Sequence, residues 1–589
     1  MRLARAVPAL AWLGAYRRGD LSGDLVAGTI TAILLVPQAM AYSLLAGLPP
    51  EVGLYASIAP PILYALFGSS RTMAVGPVAV ASLMVANALA AIAPAGSAEY
   101  YAGALVLAAL VGLILTAMGL ARVGFVANFL SHPVMSGFTS AAAIVIALSQ
   151  LKHLLGLEIP SALRTDQILT FALEHAASIN LAALAIGGTS LVALILIRSR
   201  FATFLSWLGL SEGVVGPLSK TGPLMVVVLG TAAAAAFGLA RSAGLSVVGG
   251  IPSGLPPLTV PVLDLPMWRE LASSALLIAL VSFIESIAIA KVLASKRRQK
   301  IDPDQELIGL GIANLGAGFT GGSPVCGGFS RSVVNFTAGA NTQLAAIVTA
   351  SLIALTVLFF TPLFYHLPQA VLAAIIVLSV LGLFDLHTLR QTWRYDKADA
   401  FAWLATFAVV LVEGIEAGLI AGVAVSIVLY LWRTSRPHMA VVGRVGSSEH
   451  FRNVLRHPVR IWPNLLLIRV DESLYFANTR YLEDHLLAAV AEQERVEHVV
   501  LICSAVNFID ASALESLENL IAELRSAGVT LHLAEVKGPV TDRLARSDFF
   551  ATLAPGRIFL STHDAVGALA ADAPSTRMRL QTTPLRQAG

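Results

Sequence analysis

The chain has 589 residues, 56% hydrophobic and only 13% charged, with a formal net charge of +3 and a mean hydropathy of +0.77. Soluble globular domains carry roughly 25% charged residues, so most of this chain is solvated by lipid rather than water. The small net charge gives no reason to expect a nucleic-acid partner, and the two cysteines, Cys326 and Cys503, lie too far apart in sequence to suggest a metal or disulfide framework.

The opening "MRLARAVPALAWLGAYRRGD" contains Pro8, lacks a small-residue cleavage pattern and is followed by Arg17 and Arg18. It reads as a retained amphipathic segment, residues 1–22, on the cytoplasmic face rather than a cleaved signal. A transmembrane domain is expected over 23–436. Its apolar runs, each measured against the roughly 20 residues of a spanning helix, number about fourteen: 24–46, 51–68, 74–94, 101–120, 125–152, 180–198, 218–239, 270–294, 304–320, 328–338, 343–365, 368–385, 399–412 and 415–433. With the N-terminus inside, the inner ends carry Arg71, Arg122, Arg198, Arg200, "KRRQK" at 296–300, Arg390, Arg394, Lys397, Arg433 and Arg436. That is the positive-inside pattern, and an even helix count places both termini in the cytoplasm. The exception is the 152–180 connection, where Lys152 and Arg164 fall outside.

After Pro437 charge becomes common and apolar runs shrink to strand length. "NLLLIRVD" (464–471), "HVVLICSAV" (498–506) and "VTLHLAEV" (529–536) read as strands. "TRYLEDHLLAAVAEQE" and "ASALESLENLIAELRSAG" read as helices between them. The alternation predicts a small α/β domain with a largely parallel sheet over 437–575, then a disordered tail over 576–589.

The polar oddities of the membrane part recur. Gln38 follows Pro37 in "ILLVPQAMAYS", and Glu285 interrupts "LIALVSFIESIAIA" 247 positions later. "GPVAVAS" (76–82) opens the short third run, and "FSRSVVN" (329–335) opens the short tenth, with Val78 and Ser330 252 positions apart. Seven helices separate each pair, so the second copy is inverted in the membrane. Paired interrupted helices in inverted halves point to a secondary transporter with a midplane site.

Arg331 sits in the tenth run behind "GGSPVCGGF". An Arg at the bilayer centre costs about 2.5–3.5 kcal/mol even on the lenient insertion scale. Half-helix N-termini near Val78 and Ser330 each present unpaired N–H groups and about half a positive charge. Facing each other, with Arg331 between, they form an electropositive cradle for a small anion. The structural alternative pairs Arg331 with Glu285 or with backbone carbonyls. Burial and a neighbouring anion favour a proton on Glu285 while Arg331 opposes it, so uptake of anion and proton can be coupled there.

These motifs are similar to those of the sulfate permease (SulP) family of anion transporters. The resemblance runs from "PALAWLGAYRRGDLSGDLVAGTITAILLVPQAMAYSLLAGLPPEVGLY" through "FLSHPVMSGFTSAAA", "GGIPSGLPP" and "GGFSRSVVNFTAGANTQLA" to a C-terminal region that looks like a STAS domain. It implies fourteen segments in two inverted sevens, split into core and gate domains that move like an elevator, usually in a homodimer. It implies a substrate site at Gln38, Tyr42, Val78, Ala79, Ser330 and Arg331, with Glu285 at a coupling position. It also implies residence in the cell's inner (plasma) membrane. Sulfate, bicarbonate and dicarboxylates all fit such a site, and the proton is the expected co-substrate, with sodium as the alternative. In "NFIDASALE", Ser512 matches a serine that is phosphorylated in soluble STAS relatives; with Glu515 it also fits a capping box.

Two other function classes fit a buried anion cradle. A passive anion channel would not need Glu285, and a STAS-linked anion sensor would bind without net flux. Nucleobase permeases share the general architecture, but a neutral ring needs no Arg in the cradle. No nucleophile–base set, nucleotide loop or metal cluster stands out, so an enzyme is not expected, and no cofactor is implied.

Overall fold

The computed structural model describes residues 7–128, 131–159, 165–209, 215, 218–219, 221–493, 495–570 and 576–577. Two compact units divide the chain, Met1–Ser426 and Ile427–Gly589.

The first unit is helical. Among the described residues, 7 helices are long and apolar enough to cross a membrane: Arg18–Leu45, Ala98–Leu120, His132–Leu155, Leu181–Trp207, Leu265–Lys296, Gln369–Tyr395 and Ile415–Ser435. Ala79–Ala90, Gly222–Ala236 and Leu344–Phe359 are shorter apolar helices. The first long helix begins at Arg18, ahead of the boundary expected at residue 23, because the Asp20 carboxylate accepts the Arg17 backbone N–H at 3.1 Å. Pro37 lies within that helix without ending it. The second apolar run breaks into Pro50–Tyr55 and Ala59–Phe67, with Pro60 and Pro61 in the restart, where missing N–H groups cost nothing. The Gln369–Tyr395 span is interrupted after Leu381, and its second part, Leu386–Tyr395, is capped by the Asp385 carboxylate on the N–H groups of His387 and Thr388.

Small residues let backbones approach. A Cβ on Gly311 would lie 2.9 Å from the Gly112 carbonyl oxygen, and one on Gly112 would lie 2.6 Å from the Leu315 nitrogen. Ala98–Leu120 and Pro303–Phe319 therefore pack backbone against backbone, the close mode lipid-embedded helices favour.

The second unit is an α/β domain. Its sheet runs in the order Thr576–Arg577, Arg460–Ile461, Met439–Arg444, Leu465–Val470, His498–Ile502, Thr530–Ala534 and Ile558–Phe559. Pairings from Leu465–Val470 through Ile558–Phe559 are parallel, but Met439–Arg444 joins Leu465–Val470 antiparallel, and Arg460–Ile461 pairs antiparallel with both Met439–Arg444 and Thr576–Arg577, so the sheet is mixed rather than largely parallel. Strand residues alternate between faces. Leu466, Ile468, Val499, Leu501, Leu531 and Leu533 pack with helices Thr479–Ala491 and Ala511–Ser526. Leu465, Leu467, Val500 and Ile502 pack with Ala565, Val566 and Leu569 of Thr562–Leu569 on the other face.

Three expectations meet the limits of the described residues. Of the tail expected to be disordered, Thr576 and Arg577 pair with Ile461 and Arg460, while residues 578–589 lie outside them. Arg164, an exception to the charge pattern, also lies outside, as do residues 1–6.

Candidate functional site

Two chain segments converge on a short antiparallel pair. Val75 lies opposite Gly327 and Gly76 opposite Cys326. Each strand runs directly into a helix: Ala79–Ala90 behind N-cap Val78, and Phe329–Thr337 behind N-cap Gly328. Neither cap residue has a side chain that satisfies the first N–H groups, so both helix tips keep open donors. Their N-caps stand 250 positions apart. The third and tenth apolar runs thus begin as half-length helices at adjoining points.

Polar side chains from one helix fasten the two segments. Arg331 donates through Nη1 to the Pro77 carbonyl at 2.6 Å. The Ser332 hydroxyl accepts the Ala74 N–H at 2.9 Å, and Asn335 donates to the Thr72 carbonyl at 3.0 Å. Gly328 N–H reaches the Ala74 carbonyl at 3.1 Å. On the far side of the pair, Ser286 accepts the Gly327 N–H at 2.8 Å, and Asn314 brackets Val325 with two bonds of 2.9 Å.

Arg331 is 2% exposed. Its Nε and Nη2 are buried and have no hydrogen-bond partner. No ion pair joins it to Glu285 among the described residues. The guanidinium lies over two glycines: a Cβ on Gly328 would stand 2.7 Å from Nη2 and 3.0 Å from Nε, and one on Gly76 would stand 3.4 Å from Nη2. Those glycines leave the room that the planar head occupies. Leaving a buried donor unpaired costs about 1–3 kcal/mol, and more when it is charged. A fixed cation with two unfilled donors beside two open helix tips has the chemistry to receive an anion's acceptor oxygens.

The other expected residues gather unevenly. Val78 and Ala79 are buried at the tip of their helix, and Val78 packs with Ala81 and Cys326. Gln38 and Tyr42 are buried on Arg18–Leu45, which packs against both half-length helices. The Tyr42 phenol and the Glu285 carboxyl lie within electrostatic reach of Arg331. Glu285 is half-buried, whereas Ser330 is exposed on the first turn before Arg331. Ser512 belongs to the second unit and stands exposed in the first turn of Ala511–Ser526. The capping box suggested for it is corrected: Asp510 is the N-cap and accepts the Ala513 N–H at 2.8 Å.

Sequence reasoning missed the groups that brace the cradle. Glu306, fully buried, accepts from the Tyr64 hydroxyl, both the N–H and hydroxyl of Ser69, and the Ser70 N–H at 2.7–2.9 Å. Asp24, also fully buried, accepts from Asn341 N–H, Thr342 N–H and the Thr342 hydroxyl at 2.6–3.0 Å. Gln343 links the two loops by donating to the Ser70 and Met73 carbonyls. Arg297 donates to the Ala340 carbonyl and lies 4.4 Å from the Phe336 ring, closing the C-terminal end of Phe329–Thr337. The signal was present in sequence, since Asp24 and Glu306 border apolar runs, but there they read as solvated flanks.

Comparison with known proteins agrees with this architecture. Residues 21–406 match the Sulfate permease family and residues 457–565 match the STAS domain. The chain is 37% identical over 571 residues to "Sulfate transporter 4.1, chloroplastic" of Arabidopsis thaliana, covering 95% of this chain and 82% of that one. A Mycobacterium tuberculosis protein bearing the name "Probable sulfate transporter" is 33% identical, with 96% and 99% covered. The structure of murine solute carrier 26 family member A9, an anion transporter in the inward-facing state, superposes with a TM-score of 0.87 at 26% identity, covering 96% of this chain and 94% of that one. A helical membrane unit matching over most of its length, with a STAS domain behind it, settles the classification: the chain belongs to the sulfate permease family.

Proposed function

We propose that the helical unit carries a small anion of the sulfate class across a membrane by secondary active transport. The observation that carries this reading is Arg331, 2% exposed with Nε and Nη2 buried and unpartnered at two uncapped helix tips. An incoming oxyanion supplies the missing acceptors. Gln38 and Tyr42 would border it from the first long helix, Val78 and Ala79 from one tip, and Ser330 from the other. The names of the relatives, sulfate transporters in two of three cases, favour sulfate over bicarbonate or a dicarboxylate.

In this reading the anion moves with its cradle. The bonds from Arg331, Ser332, Asn335 and Gln343 tie both half-length helices into one body. A body so cross-linked translates or rocks as a unit past the remaining helices, which is elevator-type alternating access. Glu285, half-buried and unpaired with Arg331, would take up the proton that accompanies the anion. The same proposal includes fourteen spans in two inverted sevens, a homodimer in the plasma membrane, and cytoplasmic termini. The paired half-length helices and the inner-end positive charges support it. Phosphorylation of Ser512 would be its regulatory arm, supported by that side chain's exposure.

The test is uptake of radiolabelled sulfate, bicarbonate and dicarboxylate into proteoliposomes under separately imposed proton and sodium gradients. Sulfate should accumulate beyond equilibrium when protons flow inward, and Glu285→Gln should remove that drive. Uptake that stops at electrochemical equilibrium would identify a passive channel, and dependence on the sodium gradient would identify sodium coupling. Binding without flux would leave the sensor reading.

A further inference from the structure

The charge pattern along the chain has an exception at Lys152, and the cradle does not use it. Lys152 lies in the short helix Leu151–Leu155 that continues His132–Ser149. It is half-buried, and among the described residues its ammonium has no hydrogen bond or ion pair.

A cavity of about 480 Å³ opens in front of it. One wall comes from Arg18–Leu45 and Ala79–Ala90, through Leu45, Leu83 and Asn87. The opposite wall carries Ser149, Lys152 and Ile168. The inner end lies close to the cradle by helix geometry. Leu45 is three residues beyond Tyr42 and Leu83 is four beyond Ala79, so each sits about one turn along from a cradle residue, on the same face. The outer end reaches Pro94 and Ala95, past the C-terminus of Ala79–Ala90. That helix alone spans about 18 Å.

The lining is one-signed: Lys152 is its single charged residue. Its other polar groups differ in commitment. The Tyr100 hydroxyl already donates to the Ala46 carbonyl, and Ser149 donates to the Ile146 carbonyl. Asn87 is exposed within the cavity wall and has no partner among the described residues. A lysine near a helix C-terminus commonly serves that helix's carbonyls, but the Lys152 ammonium makes no such bond. A water-accessible cleft with one sign of charge concentrates counter-ions and speeds their capture.

We propose that Lys152, with Asn87, forms a second anion subsite in this cavity, a waiting position from which the anion passes one helix turn inward to the Arg331 cradle. The inference rests on the transport reading above and adds a residue and a route to it. The subsite holds a small, hydrated oxyanion loosely. Its ammonium raises the local anion concentration without the desolvation that the Arg331 site demands.

The experiment is sulfate binding to the purified full-length chain, paired with uptake kinetics in proteoliposomes, for wild type, Lys152→Gln, Lys152→Arg and Arg331→Gln. Lys152→Gln should raise the uptake KM by about three- to tenfold, and flatten its rise with ionic strength, while the maximal rate is kept. Lys152→Arg should restore both. Wild type should show a weak, salt-sensitive class of sulfate sites that Arg331→Gln retains and Lys152→Gln loses. A Lys152→Gln chain with wild-type KM, wild-type salt dependence and both classes of site overturns the subsite alone. A wild-type chain that binds no sulfate overturns the subsite and the transport reading together.

Discussion

The two half-length helices at the cradle begin alike and are built differently. Ala79–Ala90 opens with Ala79, Val80 and Ala81, whose side chains pack but form no hydrogen bond. Phe329–Thr337 buries Arg331, Ser332 and Asn335 in two turns, and all three reach the segment from Thr72 to Pro77. One tip is a passive set of N–H groups. The other supplies the charge and the side-chain clamp. Backbone geometry alone makes a weak anion site, whereas a single guanidinium held against it makes a specific one. Both segments leave room for that guanidinium, through Gly76 ahead of the apolar tip and Gly328 at the start of the arginine's own helix.

The comparison breaks most visibly at Arg331. Arg331→Gln should lower the kcat/KM of sulfate uptake by about 100-fold or more, since a charged bond within a desolvated site is worth about 2–5 kcal/mol. Gly328→Ala should come next. Its φ of −92° suits alanine, so the new methyl acts by displacing the guanidinium it would meet at 2.7 Å. A KM about tenfold higher with a well-folded chain is the expected outcome in the same assay. Substituting the equivalent apolar tip, as in Ala79→Ser, should change uptake by less than about threefold, because that helix contributes backbone donors. Asn335→Ala acts on the clamp: it leaves the buried Thr72 carbonyl unpaired and should cost about 1–3 kcal/mol of stability, read as a lower unfolding temperature in detergent.

A smaller effect belongs to the second unit. His532, buried in strand Thr530–Ala534, accepts the Arg557 N–H on Nδ1 at 3.1 Å and meets Nδ1 of His498 through Nε2 at 3.3 Å. Burial, then the nearby His498 and Arg557, lower its pKa to about 4. The unfolded chain, with an ordinary value of about 6.5, therefore binds the proton first as pH falls. His532 contributes its full stability above about pH 6.5 and loses it progressively toward pH 4. The protection factor of the Arg557 amide, its exchange rate referred to the intrinsic rate at each pH, should fall over that window in wild type.

Much of the fold was legible because lipid-facing helices and buried strands leave composition signals. The half-length helices announced themselves through Gly and Pro ahead of Val78 and Ser330, and Arg331 stood out as a cation among apolar residues. Other features lacked a local signal. The antiparallel pair is two residues long on each side, too short for any period to register. Asp24 and Glu306 look like solvated flanks until the fold brings Thr342 and Ser69 against them across 318 and 237 positions. Helix Leu386–Tyr395 was hidden by the positive residues that made it read as an inner loop. In the second unit, Asp510 rather than Ser512 caps its helix, because the helix begins two residues earlier than the capping-box pattern suggests.

Equilibrium binding of radiolabelled sulfate to the purified chain, compared between wild type and Arg331→Gln at fixed ionic strength, tests the central claim most directly. Saturable tight binding that the substitution weakens by about 100-fold is the predicted result. Equal affinity in the two proteins would show that the unpaired guanidinium donors hold no anion.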